Sequence, residues 1–187
     1  MRKVSVFESV TVNGYFTGPD GDLSWAYAQP EDPEFAEFTQ GNASTPGVLL
    51  FGRVTYQMME GFWPTPAAAQ TDPIVAKGMN EAEKIVFSRT LKQVNWANTT
   101  LFHEDPPSVV RKLKQQTGKD LVVLGSGTIV TQLANAGLVD EYQLVVKPVA
   151  LGRGRPLFEG VTAPLSLRLT SSRAFKSGSV VLDYVRP

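Results

Sequence analysis

Hydrophobic and polar positions change their period repeatedly along this chain, and each change marks an element. Val4 to Val12 alternates and is rich in β-branched residues, the pattern of a strand with one face buried. Asn13-Gly14 and Gly18-Pro19-Asp20-Gly21 carry turn chemistry. Glu34 to Gln40 reads as a short helix with Phe35 and Phe38 on one face. Val48-Leu49-Leu50-Phe51 is a short buried strand that ends at Gly52, and a helix follows from Val54 to Gly61. Phe62-Trp63-Pro64-Thr65-Pro66 reads as a rigid loop. Asp72 is placed to cap a helix that runs to Asn80, with Pro73 at its first position. Lys84 to Ser88 is a further strand. Val109, Val110 and Leu113 share one face of a helix from Ser108 to Thr117, which Gly118 stops. Leu121 to Leu124 is wholly apolar and opens through Gly125-Ser126-Gly127 into an amphipathic helix, Ile129 to Ala136. Glu141 to Lys147 is another strand, and Leu165 to Phe175 pairs with Val180 to Val185 as a closing hairpin.

Strands therefore alternate with helices for most of the chain, and a hairpin ends it. That order predicts an α/β fold with a mostly parallel central sheet, helices on both faces and a C-terminal antiparallel hairpin. The 187 residues suit one domain spanning 1–187, with no repeat and no linker long enough to divide it.

Composition narrows the chemistry. Lys+Arg 18 balances Asp+Glu 18, so no global field draws nucleic acid or an anionic membrane, and any anion site must be local. There is no cysteine, which removes disulfides, thiolate zinc sites and thiol nucleophiles. The lone histidine, His103, excludes paired-histidine metal sites and reads as an exposed loop residue; no metal is expected. The N-terminus has no apolar signal core and no run is long enough to span a bilayer, so a soluble cytoplasmic protein is expected.

Three segments point to a phosphate-bearing ligand. A buried strand, a glycine turn and a helix N-terminus meet at Gly125-Ser126-Gly127-Thr128, where free backbone N–H groups and the helix dipole face outward together. Val130 stands where a Rossmann fingerprint has its third glycine, and a tight turn without a ligand is the competing reading. Gly52-Arg53-Val54-Thr55 repeats the strand–turn–helix logic. Arg53 there opposes the helix dipole, so a bound anion would explain it better than helix stability does. Ser88-Arg89-Thr90 sets two hydroxyls and a guanidinium just past a strand end, suited to a phosphomonoester such as a ribose 2′-phosphate, though also to a plain loop. In a parallel sheet the three strand ends share one edge, and two phosphate cradles beside a basic pocket suit NADPH.

Several blocks in order resemble the dihydrofolate reductase-like superfamily, and most closely the bacterial dihydrofolate reductase family proteins related to the reductase domain of riboflavin biosynthesis. They are Ser9 to Tyr15, Gly18 to Trp25, Leu50 to Tyr56, Val86 to Leu91, Gly125 to Gly127, and Gly137 to Glu141 leading to Pro148–Phe158. The resemblance covers essentially the whole chain. It implies a three-layer dihydrofolate reductase-like fold, NADPH as cofactor, a homodimer, and hydride transfer to a small planar heterocycle that is pterin-, pyrimidine- or riboflavin-precursor-like. Gly52, Arg53 and Thr55 would bind cofactor phosphates, Ser88 and Arg89 the adenosine ribose with its 2′-phosphate, and Gly125 to Thr128 the pyrophosphate. Asn13 stands where relatives often carry Asp.

The family's pterin-side carboxylate falls between a Gly-x-Leu-Pro-Trp loop and a Phe-x-x-x-Thr turn. Here that interval runs from Gly21-Asp22-Leu23-Ser24-Trp25 to Phe35 and Thr39, and it contains Glu31 and Asp32. Counting back from Phe35 selects Glu31; charge at a helix N-terminus explains either residue equally well. Trp25, Trp63, Tyr15 and Phe62 are candidates for an aromatic wall against a flat substrate, with core packing as the alternative. Arg153 and Arg155 lie in a glycine loop where they would meet a substrate phosphate or only solvent. A nucleotide-binding protein of the same fold without turnover is the rival reading.

Overall fold

The computed structural model describes residues 1–187. The chain forms β1 (Val4–Thr11), β2 (Tyr15–Thr17), α1 (Pro33–Ser44), β3 (Val48–Gly52), α2 (Arg53–Glu60), α3 (Pro66–Thr71), α4 (Pro73–Glu81), β4 (Lys84–Phe87) and β5 (Thr99–Phe102). It continues with α5 (Pro106–Lys114), β6 (Leu121–Leu124), α6 (Gly127–Asn135), β7 (Glu141–Lys147), β8 (Arg155–Pro156), β9 (Arg168–Ala174) and β10 (Val180–Val185). Two single turns of 3-10 helix, Pro19–Gly21 and Ser24–Ala26, cross the gap between β2 and α1.

Eight strands build one sheet in the order β5-β4-β3-β6-β1-β7-β10-β9. The pairs from β5 to β7 are parallel, and β10 and β9 add an antiparallel edge. Alternation along the strands sorts side chains to two faces. Val4, Val6, Val48, Leu50, Leu121 and Val123 pack with Val109 and Val110 of α5 and Ile129, Val130 and Leu133 of α6. On the opposite face Leu49, Phe51 and Val86 meet Tyr56 of α2 and Met79 of α4, while Phe7, Val145 and Val181 meet Phe35 and Phe38 of α1. The result is the three-layer arrangement with a closing hairpin that the periodicity predicts. No helix is long and apolar enough to cross a membrane.

The differences from expectation have local causes. Phe62 to Pro66 ends in a helix start: Pro66 supplies the first position of α3, and the Thr65 hydroxyl accepts from the Ala68 N–H at 3.3 Å. Asp105 caps α5 at the Ser108 N–H (3.0 Å), so that helix begins at Pro106. Asp32 caps α1, which runs on past Gln40 to Ser44. β5 is short and half polar, and it forms only because β4 offers it a parallel partner.

Candidate functional site

Chain order and sheet order diverge where the site forms. After β1 the chain moves outward to β3, β4 and β5, then returns to place β6 between β3 and β1. Open α/β sheets bind ligands at the C-terminal strand ends near such a switch. The registers Gly52 opposite Phe87 and Leu50 opposite Val123 bring Ser88-Arg89, Gly52-Arg53 and Gly125-Ser126-Gly127-Thr128 side by side along that edge. All eight of these residues, together with Thr55, line one groove of about 1860 Å³. A single small-ligand pocket is usually roughly 300–1,000 Å³, so the groove has room for a dinucleotide and a second molecule.

The two helices that start at this edge differ from the rest. Side-chain oxygens of Asp32, Thr65, Asp72 and Asp105 cap α1, α3, α4 and α5. Neither α2 nor α6 has a side-chain cap or an acidic residue in its first turn. Their leading N–H groups are left for water or an anion. Two cross-links fix the turns to each other. The Gly52 N–H donates to Ser126 Oγ at 3.1 Å, and the Thr55 hydroxyl donates to the Gly125 carbonyl at 2.7 Å. The Thr55 proton is thus used within the protein, where it fixes the first turn of α2 to the Gly125 turn.

The glycines of these turns answer to different constraints. Gly125 has φ +63, and a Cβ there would lie 3.1 Å from Thr55 Cγ2. A Cβ on Gly127 would fall 2.4 Å from the Phe16 ring. Gly52 is unlike both: a Cβ would meet nothing nearer than Ile129 at 3.6 Å, so the protein itself does not require glycine there. A ligand that approaches the backbone would.

Charges of both signs line the groove, and three of its arginines are free of carboxylate partners. Arg53, Arg89 and Arg153 line it, and none belongs to an ion pair. The Arg53 guanidinium donates to Gln57 Oε1 at 3.0 Å, one turn along the same helix. The Ser88 Oγ accepts from the Thr90 and Leu91 N–H groups at 3.2 and 3.0 Å, which shapes the turn that presents Arg89. His103 is exposed, and its Nδ1 donates to the Ser88 carbonyl at 2.7 Å, buttressing the same turn. No group of three or more His, Cys, Asp or Glu side chains converges as a metal site would.

Of the substrate-side candidates, Trp25, Trp63 and Arg153 line the groove, while Tyr15 pairs with Pro156 in the small β2–β8 ribbon outside it. Trp25 is buried, its indole N–H bonded to the Asp22 carbonyl at 3.2 Å, and Trp63 donates to Met59 Sδ at 3.0 Å.

The two carboxylates expected to serve as acids are not brought to the groove. Glu31 is exposed on the approach to α1. Asp32 accepts from the N–H groups of Ser177 (2.8 Å), Glu34 (3.1 Å) and Phe35 (3.4 Å). These bonds, the one from Ser177 first, hold its pKa below the ordinary range. Asp32 is a cap and an anchor for the closing hairpin, with no proton to give at neutral pH.

Six carboxylates line the groove, Glu8, Asp20, Asp72, Glu104, Glu141 and Asp183, and of these only Glu8 of β1 is buried. It is 6% exposed, and burial pushes its pKa up to about 8. The signal was present in the alternation: Glu8 falls in phase with the buried Val4, Val6 and Val10. On the opposite face Lys147 is buried beside the Phe35 ring, its Nζ 4.1 Å from the ring centre and 3.4 Å from Ser179 Oγ.

Residues 2–181 match the RibD C-terminal domain family, and the chain belongs to it. The uncharacterised Bacillus subtilis (strain 168) protein YyaP is 32% identical over 184 residues, 98% of this chain and 94% of that protein. Among solved structures, a proposed riboflavin biosynthesis protein of Shewanella sp. PV-4 superposes with a TM-score of 0.75 at 21% identity, covering 99% of each chain. The Thermotoga maritima diaminohydroxyphosphoribosylaminopyrimidine deaminase/5-amino-6-(5-phosphoribosylamino)uracil reductase gives 0.67 at 13% identity, covering all of this chain and 57% of that one. At such identities the structural likeness speaks to fold.

Proposed function

We propose that this member of the RibD C-terminal domain family is an NADPH-dependent reductase, active as one domain over residues 1–187, that reduces a small planar heterocycle of the pterin, pyrimidine or riboflavin-precursor kind. The observation that carries the reading is the pair of uncapped helix N-termini, cross-linked at Gly52–Ser126 and Thr55–Gly125, with unpaired Arg53 and Arg89 on the same edge. A diphosphate fits between two such helix starts. Arg89, on the turn held by Ser88, fits a ribose 2′-phosphate. When bound, NADPH supplies a hydride from C4 of its nicotinamide. The chain's own part is to orient, through Trp25 and Trp63, a flat ring beside β1 and to keep water from it.

The uracil reductase activity for which the Thermotoga protein is named supports a substrate of aminopyrimidine type. Arg153 is then the side chain available to a substrate phosphate. A homodimer in the cytoplasm belongs to the same reading through the family resemblance. The position of Glu31 and Asp32 outside the groove favours a second reading, nucleotide binding without turnover. Titration with NADPH and NADH, followed by a screen for NADPH oxidation across pterins, aminopyrimidines and flavins, tests both. Binding with no oxidation across the screen would select the second reading.

A further inference from the structure

We infer that Glu8 is the proton donor of the groove: it gives the proton that reduction of a C=N bond requires at nitrogen. The inference rests on the reductase reading above. Hydride adds to the carbon, the π pair of the broken double-bond component moves to nitrogen, and nitrogen takes the proton from the Glu8 carboxyl. Glu8 is left as a carboxylate and recovers its proton from water.

Position is the first argument. The nucleotide cradles follow the sheet order, Ser88-Arg89 at β4, Gly52-Arg53 at β3 and Gly125 to Thr128 at β6. The next strand is β1. A dinucleotide laid from a 2′-phosphate at β4 across β3 and β6 therefore brings its reactive end to β1. Phe7 pairs with Leu124, the last residue of β6, so Glu8 lies level with the start of the Gly125 turn. On its other side it faces Leu144 of β7.

The second argument is that Glu8 caps no helix and joins no ion pair. Asp32, Asp72 and Asp105 cap helices, and Asp140 pairs with Lys114 and accepts from the Val4 N–H. Glu8 Oε2 is buried with no hydrogen-bond partner. Burial makes the charged carboxylate costly, and this desolvation outweighs the Ser9 N–H, which favours the charge, so the carboxyl is held neutral. The core on its face is apolar, made of Val6, Val10, Phe16, Ile129 and Leu144.

The ionisable groups near that core leave the proton with Glu8. Tyr142 faces it, its phenol raised to about 12 by burial and so neutral. Arg155 sits 5.4 Å from the Phe16 ring centre and pairs with Glu159 at 3.6 Å. Tyr27, which also lines the groove, is 80% exposed, and its phenol is raised by desolvation first and then by Glu8 once that carboxyl ionises.

The test is carbon-13 NMR of protein labelled at glutamate side-chain carboxyls, with Glu8→Gln used to assign the Glu8 signal. The signal is titrated in free protein and with saturating NADPH, NADP⁺ or adenosine 2′,5′-bisphosphate. Glu8 is expected to titrate near neutrality when free. NADP⁺, whose nicotinamide ring is cationic, should lower that pKa by about half a unit or more relative to NADPH. The bisphosphate, lacking nicotinamide, should leave it within about 0.2 units of the free value. Glu8→Gln should bind NADPH within about threefold of wild type. Nucleotide binding with the same Glu8 pKa in the NADPH and NADP⁺ complexes, or a Glu8 that titrates near the ordinary carboxylate value, overturns the assignment and leaves the cofactor reading standing. Absence of nucleotide binding overturns both.

Discussion

The Thr55 hydroxyl donates to the Gly125 carbonyl over 2.7 Å, joining residues 70 positions apart. With the Gly52–Ser126 bond of 3.1 Å it locks the N-termini of α2 and α6 side by side. Thr55→Val keeps the shape and strands a part-buried carbonyl. It should cost about 1–3 kcal/mol in urea unfolding and weaken NADPH, whereas Thr55→Ser should lose far less of either. Unchanged NADPH affinity in a destabilised Thr55→Val protein would mean that the spacing of the two helix starts is irrelevant to the ligand.

Gly52 and Gly125 separate ligand demands from folding demands. Gly125→Ala places a Cβ at φ +63 and 3.1 Å from Thr55, and should destabilise the fold by about 1–2 kcal/mol or more. Gly52→Ala meets no such obstacle and should stay within about 1 kcal/mol of wild type. It should nevertheless weaken NADPH by about tenfold, or 1.4 kcal/mol. Thermal unfolding and a binding titration on the two variants check the contrast; a Gly52→Ala protein that binds normally would remove the α2 start from the site.

Glu8 sets a pH dependence of stability with a definite sign. Its pKa is about 8 in the folded protein against an ordinary 4.5, so between those values the native state holds a proton that the unfolded chain has released. This contribution is complete below pH 4.5 and is lost as pH rises toward 8 and beyond, by up to about 5 kcal/mol. Glu8→Gln should flatten that slope and be more stable than wild type at pH 8. Chemical denaturation of both proteins from pH 5 to 9 would show it, and parallel curves would refute it.

Asp32 has the opposite sign. Its pKa is lowered by the Ser177, Phe35 and Glu34 N–H groups, so its contribution is present above the ordinary carboxylate pKa and disappears as pH falls through the lowered value. Asp32→Ala should lower the melting temperature and leave NADPH affinity within about threefold, since the residue stands outside the groove. A variant that melts normally but has lost the cofactor would restore Asp32 to the site.

Much of this arrangement is legible in the chain. Leu121 to Asn135 shows strand, turn and helix because apolar run, glycines and amphipathic period each act locally. Glu141 to Lys147 and the closing hairpin follow from alternation alone. β5 is not legible, because Thr99-Thr100-Leu101-Phe102 is a strand only by virtue of β4 beside it. α3 is hidden by Pro66, which reads as a loop unless Thr65 is recognised as its cap. The cross-links at Thr55 and Gly52 depend on β6 being inserted next to β3, a pairing that no local pattern encodes. Counting back from Phe35 selects Glu31, counting forward from Trp25 selects neither Glu31 nor Asp32, and both lie where the α1 N-terminus attracts acids for its own sake, while Glu8 stands in phase with three buried valines.

The most direct measurement is a titration of wild type and Arg89→Ala with NADPH and NADH, read by nicotinamide fluorescence and thermal shift. Wild type is expected to prefer NADPH, and Arg89→Ala to lose about 1–3 kcal/mol toward NADPH with little change toward NADH. Equal weakening toward both would take Arg89 away from the 2′-phosphate. No binding of either nucleotide to wild type would contradict the account at its centre, since the paired helix starts at Gly52 and Ser126 would then hold no cofactor.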